Sequence, residues 1–206
     1  MFTKDQIATA INGHDASSVP FIANPLHASV AMIVAEGSGG PEICFIRRAE
    51  REGDPWSGHV SFPGGRASEA DTTAQEVAER ETLEEIGLQL TSDHHVGALP
   101  VLPQIRRGIT LFPFVYCVDE ATQQQATARQ PEEVASVFWV PFQHLTDDKA
   151  VTTLEYDLDG SRKSFPGIQF EDHIIWGLTL HLLHGFAGLV RQPFPALDSG
   201  SASRGL

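Results

Sequence analysis

Apolar positions along this chain fall into two rhythms: near-continuous runs of strand length, and stripes of helical period. The runs Ala28 to Ala35 and Glu42 to Arg48 predict two strands of a hairpin, parted by the turn-forming Gly37-Ser38-Gly39-Gly40-Pro41. After a polar loop from Ala49 to His59, a short strand leads from Val60 into Gly64-Gly65. Val96 to Leu102 and Ile109 to Val118 predict two more strands, joined by Pro103 to Gly108, and Val134 to Val140 a further one. Leu154 to Asp157 and Arg162 to Phe165 flank Asp159-Gly160, a strong hairpin-turn signal. Helices are predicted in three places. Thr3-Lys4-Asp5-Gln6 forms a capping box ahead of a helix reaching Asn12. The span Thr73 to Ile86 carries the buried stripe Ala74, Val77, Ala78, Leu83 and Ile86, and Gly87 is able to end it in the left-handed conformation. An apolar helix runs from Asp172 to Val190. The elements alternate without regular βαβ spacing, which favours an α/β fold with a mixed sheet and helices on both faces. Residues 1–27 read as an N-terminal helix and connector, 28–190 as the domain, and 191–206 as a mobile C-terminal tail.

Charge narrows the choice of partners. Acids outnumber bases 27 to 14, a formal net charge of −13, which disfavours nonspecific binding of nucleic acid or of an anionic membrane. No run approaches membrane-spanning length, and the N-terminus lacks a basic segment followed by an apolar one. Two cysteines, Cys44 and Cys117, lie inside strand-like runs and read as buried free thiols of a reducing, cytoplasmic protein, with a single disulfide as the alternative. His181 and His184 stand three apart on the last helix, a spacing far commoner in cores and on surfaces than at metal sites, and receive no role.

The chemistry-bearing stretch is Arg80-Glu81-Thr82-Leu83-Glu84-Glu85-Ile86-Gly87-Leu88. On a helix Glu81 and Glu85 lie about 40° apart and Glu84 about 60° to the other side of Glu81, so the three carboxylates share a face roughly 100° wide. Like charges at these spacings repel. A Glu-rich helix face is usually just solvated, but three acids held together also invite a cation, and their hard oxygens suit Mg²⁺ or Mn²⁺.

With its context, this stretch resembles the box of the Nudix family, G-x5-E-x7-R-E-U-x-E-E-x-G-U, where U is apolar. Arg80, Glu81, Glu84, Glu85, Gly87 and Leu88 match it, and Gly64-Gly65 follow a strand as expected. Thr82 stands where the motif prefers an apolar residue. Asp71 takes the place of the first Glu, six residues after Gly65, and Arg80 follows nine positions later in place of eight. The branch resembling coenzyme A pyrophosphatases tolerates this longer turn. That branch also carries an upstream signature, LLTKR-(S/A)-x3-R-x3-G-x3-FPGG. The chain matches it at Arg48-Ala49, Gly58 and Phe62-Pro63-Gly64-Gly65, with one added residue and Arg51 displaced from the expected position, where Gly53 stands.

The resemblance covers approximately residues 28–190 and implies a Nudix-type α/β/α sandwich. It implies a Mg²⁺- or Mn²⁺-dependent diphosphate hydrolase with Glu81, Glu85 and Glu84 as metal ligands. Arg80 would fix the box loop or a ligand carboxylate, and Gly64 and Gly65 would let the backbone approach a phosphate. Family members often add an acid from a loop beyond the box, and Glu133 is the first candidate here, ahead of Glu132, Asp119 and Glu120. Arg47, Arg48 and Arg51 are candidates to bind substrate phosphates. The implied substrate is coenzyme A or an acyl derivative, split into 3′,5′-ADP and 4′-phosphopantetheine species. ADP-ribose or another nucleoside diphosphate derivative is the alternative. A nucleotide-sensing module without catalysis is disfavoured, because binding alone does not require three repelling acids. Homodimers are common in the family, so a homodimer is admitted too.

Overall fold

The computed structural model describes residues 3–13, 19–37, 39–53, 56–158 and 160–197. The chain runs α1 (Lys4–Asn12), β1 (His27–Gly37), β2 (Gly40–Arg48), β3 (Val60–Ser61), β4 (Gly64–Arg66), α2 (Ala74–Ile86), β5 (His95–Ala98) and β6 (Leu102–Ile105). It continues through β7 (Ile109–Val118), α3 (Glu120–Gln123), β8 (Val134–Pro141), α4 (Phe142–Leu145), β9 (Val151–Leu158), β10 (Ser161–Phe170), β11 (His173–Trp176) and α5 (Gly177–Leu189). Strands β1 to β8 form one mixed sheet, in which β1 runs antiparallel to β2 and β4 but parallel to β7; β9, β10 and β11 form a separate antiparallel sheet.

The near-continuous apolar run of β1 is explained by burial on both faces. Ala31, Ile33 and Ala35 pack with Ala78, Ile86 and Leu88 on the α2 side, while Met32 and Val34 join the opposite cluster with Ile7 and Ile11 of α1 and Leu183 and Phe186 of α5. The result is the expected α/β/α layering. Both cysteines are buried free thiols, and among the described residues no helix is long and apolar enough to cross a membrane.

Several boundaries differ from the sequence reading. Leu99-Pro100 interrupts the expected strand from Val96, and β6 occupies part of the stretch taken as a linker. The last helix begins at Gly177, since His173 to Trp176 pair with β10. In the expected stripe of α2, Leu83 is 48% exposed and Thr82 is buried instead. Thr82 fits there because its hydroxyl donates to the Ala78 carbonyl within the helix, at 2.6 Å, which satisfies the polar group and leaves the methyl for the core. Phe194 and Leu197 pack against the core, so the expected mobile tail is docked as far as Leu197; 198–206, Ser38, Asp54, Pro55 and Asp159 lie outside the described residues.

Candidate active site

Three segments bring the glycine turn and the acids to one cavity of about 550 Å³. The first is the turn into β4. Gly64 has φ 148°, and a Cβ there would stand 2.7 Å from the Val30 Cα and closer still to the Ser29 carbonyl oxygen. Only glycine allows β4 to lie so tightly against β1 at this point. A Cβ on the next residue, Gly65, would lie 2.6 Å from Glu81 Oε1, so the absence of a side chain is what makes room for that carboxylate.

The second segment is α2, capped at Thr73 by a full capping box and ended by Gly87 in the left-handed conformation at φ 73°. Its acids divide by role. Glu81 and Glu85 line the cavity. Glu85 is 2% exposed and accepts a hydrogen bond from the Gly64 N–H at 2.8 Å. Burial pushes its carboxyl up to about 8, with the neighbouring Glu81 and Glu133 charges adding to the rise against the lowering effect of Gly64 and Arg48. Glu81 is raised as well, by burial first and then by Glu84 and Glu133, against the lowering effect of Arg80. Glu84 is more exposed and turns toward Arg80, away from the cavity lining.

Arg80 is the organiser of the box. Its Nε and Nη2 grip Asp71 at 3.0 Å each, Nη2 also donates to the Arg66 carbonyl at 3.1 Å, and Nη1 reaches Glu81 at 2.9 Å and Glu84 at 3.2 Å. Those contacts use all five guanidinium donors. Asp71 further accepts from the Ser68 N–H and hydroxyl, so the lengthened turn closes on the Asp71 carboxylate. The hydrogen bonds from Arg80 hold that carboxyl down at about 2. Asp71→Asn should therefore cost about 2 to 3 kcal/mol of stability at pH 7. Because the folded value lies below the ordinary 3.8, the contribution is full above about pH 4 and disappears as pH falls through about 2. Urea melts of both proteins between pH 3 and pH 7 should show the gap narrowing toward acid.

The third segment leads to the loop acid. Beyond the end of α2, the Arg129 N–H donates to the Glu85 carbonyl and the Thr127 N–H to the Ile86 carbonyl. The chain then reaches Glu133, whose side chain lines the cavity together with Glu81 and Glu85. Among the alternatives, Asp119 is occupied as the N-cap of α3 and Glu120 is exposed on that helix; neither lines the cavity, nor does Glu132.

The three upstream arginines do not act together. Successive strand residues face opposite ways, so Arg48 lines the cavity while Arg47 pairs with Glu50 at 3.1 Å and lines a separate cleft beside His173. Arg51 binds the Glu132 carbonyl and the Glu133 carboxylate. Arg66 is a second cavity cation that the sequence reading did not pick out. The cavity's far wall is aromatic and aliphatic. Trp176 stands 4.8 Å from His59, 4.9 Å from Tyr156 and 5.3 Å from Phe165, ring centre to ring centre, with Trp56, Ile105 and Leu111 also contributing to the lining. Trp176 falls within the last helix expected from the sequence, yet it sits at the N-cap of α5 and faces the cavity. Composition gives no signal for such a wall, because its members lie on elements distant in sequence.

The donor set facing the cavity, hard carboxylate oxygens that raise one another's proton affinity, fits Mg²⁺ or Mn²⁺. Among the described residues no three acidic, histidine or cysteine side chains are already closed into a cage. Glu81 is drawn to Arg80 and Glu85 to the Gly64 N–H.

The NUDIX domain model matches residues 25–157. This chain belongs to the Nudix family. A mitochondrial coenzyme A diphosphatase of Homo sapiens is 32% identical over 160 residues, covering 76% of this chain and 66% of the relative. The chloroplastic Nudix hydrolase 22 of Arabidopsis thaliana is 30% identical over 189 residues, covering 89% and 62%. The chain thus spans less than two thirds of the length of these two relatives. The crystal structure of a MutT/nudix family protein from Enterococcus faecalis shares the fold with a TM-score of 0.57 at 15% identity, over 92% of this chain and 70% of that one. In this Nudix domain the box supplies both Arg80, which ties loop to helix, and the acids that Arg80 orients.

Proposed function

We propose that the protein is a divalent-metal-dependent hydrolase that splits the diphosphate of a nucleoside diphosphate derivative, with coenzyme A or acyl-coenzyme A as substrate. The observation that carries the reading is the meeting of Glu81, Glu85 and Glu133 in one cavity beside the Gly64-Gly65 turn. When bound, Mg²⁺ or Mn²⁺ supplies charge neutralisation on the diphosphate and a more acidic attacking water. Glu81 and Glu85 would hold the ion, with Glu84 adding negative charge from the Arg80 side. Glu133 accepts the proton of the water that attacks one phosphorus, and the bridging P–O bond breaks to leave two phosphomonoesters. Gly64 and Gly65 keep the backbone low beneath the phosphates, and Arg48 and Arg66 offset their charge at the acidic end.

Three features support the substrate. A relative bears the name coenzyme A diphosphatase, Arg48-Ala49 and Phe62 to Gly65 match the signature of that branch, and the apolar far wall suits an uncharged arm extending from the diphosphate. The two buried thiols support a reducing compartment such as the cytoplasm, although two relatives are named as mitochondrial and chloroplastic. Light scattering would decide the homodimer expectation.

The test is a panel of coenzyme A, acyl-coenzyme A, dephospho-coenzyme A, ADP-ribose and dinucleotides, assayed with Mg²⁺ and with Mn²⁺. We expect a coenzyme A compound to give the highest kcat/KM, at least about tenfold over ADP-ribose. Faster turnover of ADP-ribose or a dinucleotide than of every coenzyme A compound would overturn the substrate and keep the reaction. No turnover of any diphosphate would point to a binding module.

A further inference from the structure

We propose that Arg51 is a positioning residue for the loop acid Glu133, not a clamp on a substrate phosphate. The proposal rests on the reading of Glu133 as the proton acceptor. Arg51 Nη2 lies 3.2 Å from Glu133 Oε1, and its Nε donates to the Glu132 carbonyl at 2.6 Å. One planar fork therefore spans the backbone just before Glu133 and the carboxylate itself, which fixes the side chain relative to its own main chain. The arginine is anchored in turn. Its N–H donates to Ser57 Oγ at 2.8 Å, and two residues earlier the Ala49 N–H donates to the Glu133 carbonyl at 2.8 Å. Glu133 lines the cavity, whereas Arg51 does not.

Electrostatics explain why such a clasp is needed. Glu133 faces the charges of Glu81 and Glu85, and repulsion favours rotamers that swing its carboxylate out to solvent. An arginine behind it supplies the opposing pull. Both side chains of the Arg51–Glu133 pair are about two-fifths exposed, 42% and 41%. Such pairs add little to folding stability, so loss of the pair should be read in the rate and not in the melt. A lysine at this position carries the charge but cannot reach both acceptors in the fork geometry.

Steady-state kinetics on Arg51→Ala, Arg51→Lys, Glu133→Gln and the Arg51→Ala/Glu133→Gln double variant, with the best diphosphate of the panel, test the proposal. Arg51→Ala should lower kcat about 10- to 100-fold with KM within about threefold and Tm within about 2 °C of the unsubstituted protein. Arg51→Lys should restore only part of the rate. The double variant should be no slower than Glu133→Gln alone, because the two residues act as one unit. The preference for coenzyme A over dephospho-coenzyme A should be unchanged by Arg51→Ala. A raised KM at normal kcat, or a collapse of that preference, would make Arg51 a phosphate ligand. Additive losses in the double variant would also overturn the proposal, as would a silent Glu133→Gln. In that last case Glu81→Gln and Glu85→Gln still report separately on the hydrolase reading. If Arg51→Ala melts early, Arg51→Lys carries the same comparison.

Discussion

Glu85→Gln should lower kcat about 10²- to 10⁴-fold without lowering the Tm of the protein in EDTA. Two properties of one side chain lead to this result. Glu85 is nearly sealed from solvent and sits close enough to Glu81 and Glu133 for their charges to raise it further. Its ionised form is therefore held at a cost that the Gly64 N–H and Arg48 offset only in part and that a bound metal ion would relieve. Glutamine keeps an oxygen to accept the Gly64 N–H while removing that charge. The binding site for the ion is damaged, but the packing is not. Glu81→Gln should behave alike in rate but lower the Tm in EDTA somewhat, because it loses the charged contact between Glu81 and Arg80. Thermal melts with and without millimolar Mn²⁺ give a second readout: the ion should raise the Tm of the unsubstituted protein and raise that of either variant far less. Near-normal turnover together with an undiminished Mn²⁺ shift in Glu85→Gln would remove the metal-site reading.

The same residues show what was legible in the chain. The box helix could be read almost to the residue, because its glycine stop and acid spacing are local signals. The α/β/α layering followed from the irregular alternation of strands and helices and from the Nudix resemblance, and β1, buried on both faces, sits at its centre. Other features needed the third dimension. Leu83 and Thr82 exchange places relative to the expected stripe, and only the hydroxyl bond to Ala78 explains why a threonine can take the inner one. The three arginines looked like one cluster because they are close in sequence. Strand alternation separates Arg47 from Arg48, and the Glu132 carbonyl captures Arg51. Trp176, Tyr156 and Phe165 come together on a second sheet whose strand β11 was mistaken for a helical turn. Helical and strand periodicities are hard to separate over four apolar residues.

The Gly64-Gly65 pair yields the other large expected effect, because the two glycines are required for different reasons. Gly64→Ala should destabilise the fold by about 3 kcal/mol or more, since the new Cβ would press on the backbone of Ser29 and Val30 in the central strand, at a φ of 148° that disfavours any side chain. Backbone in a sheet layer buried on both sides cannot step aside. At Gly65 the three atoms nearest the new methyl all belong to the carboxyl end of Glu81, the tip of a side chain that can rotate away. Gly65→Ala should therefore stay folded, with Tm within about 4 °C of the unsubstituted protein, and lose about 10²-fold or more in kcat as Glu81 is pushed from the cavity. Circular dichroism melts and turnover, measured on both variants, separate the two roles. A Gly65→Ala protein with normal rate would mean that Glu81 does not work from its position above this glycine. Should Gly64→Ala melt normally, β4 would have to pair with β1 with more room than the Ser29 and Val30 contacts allow.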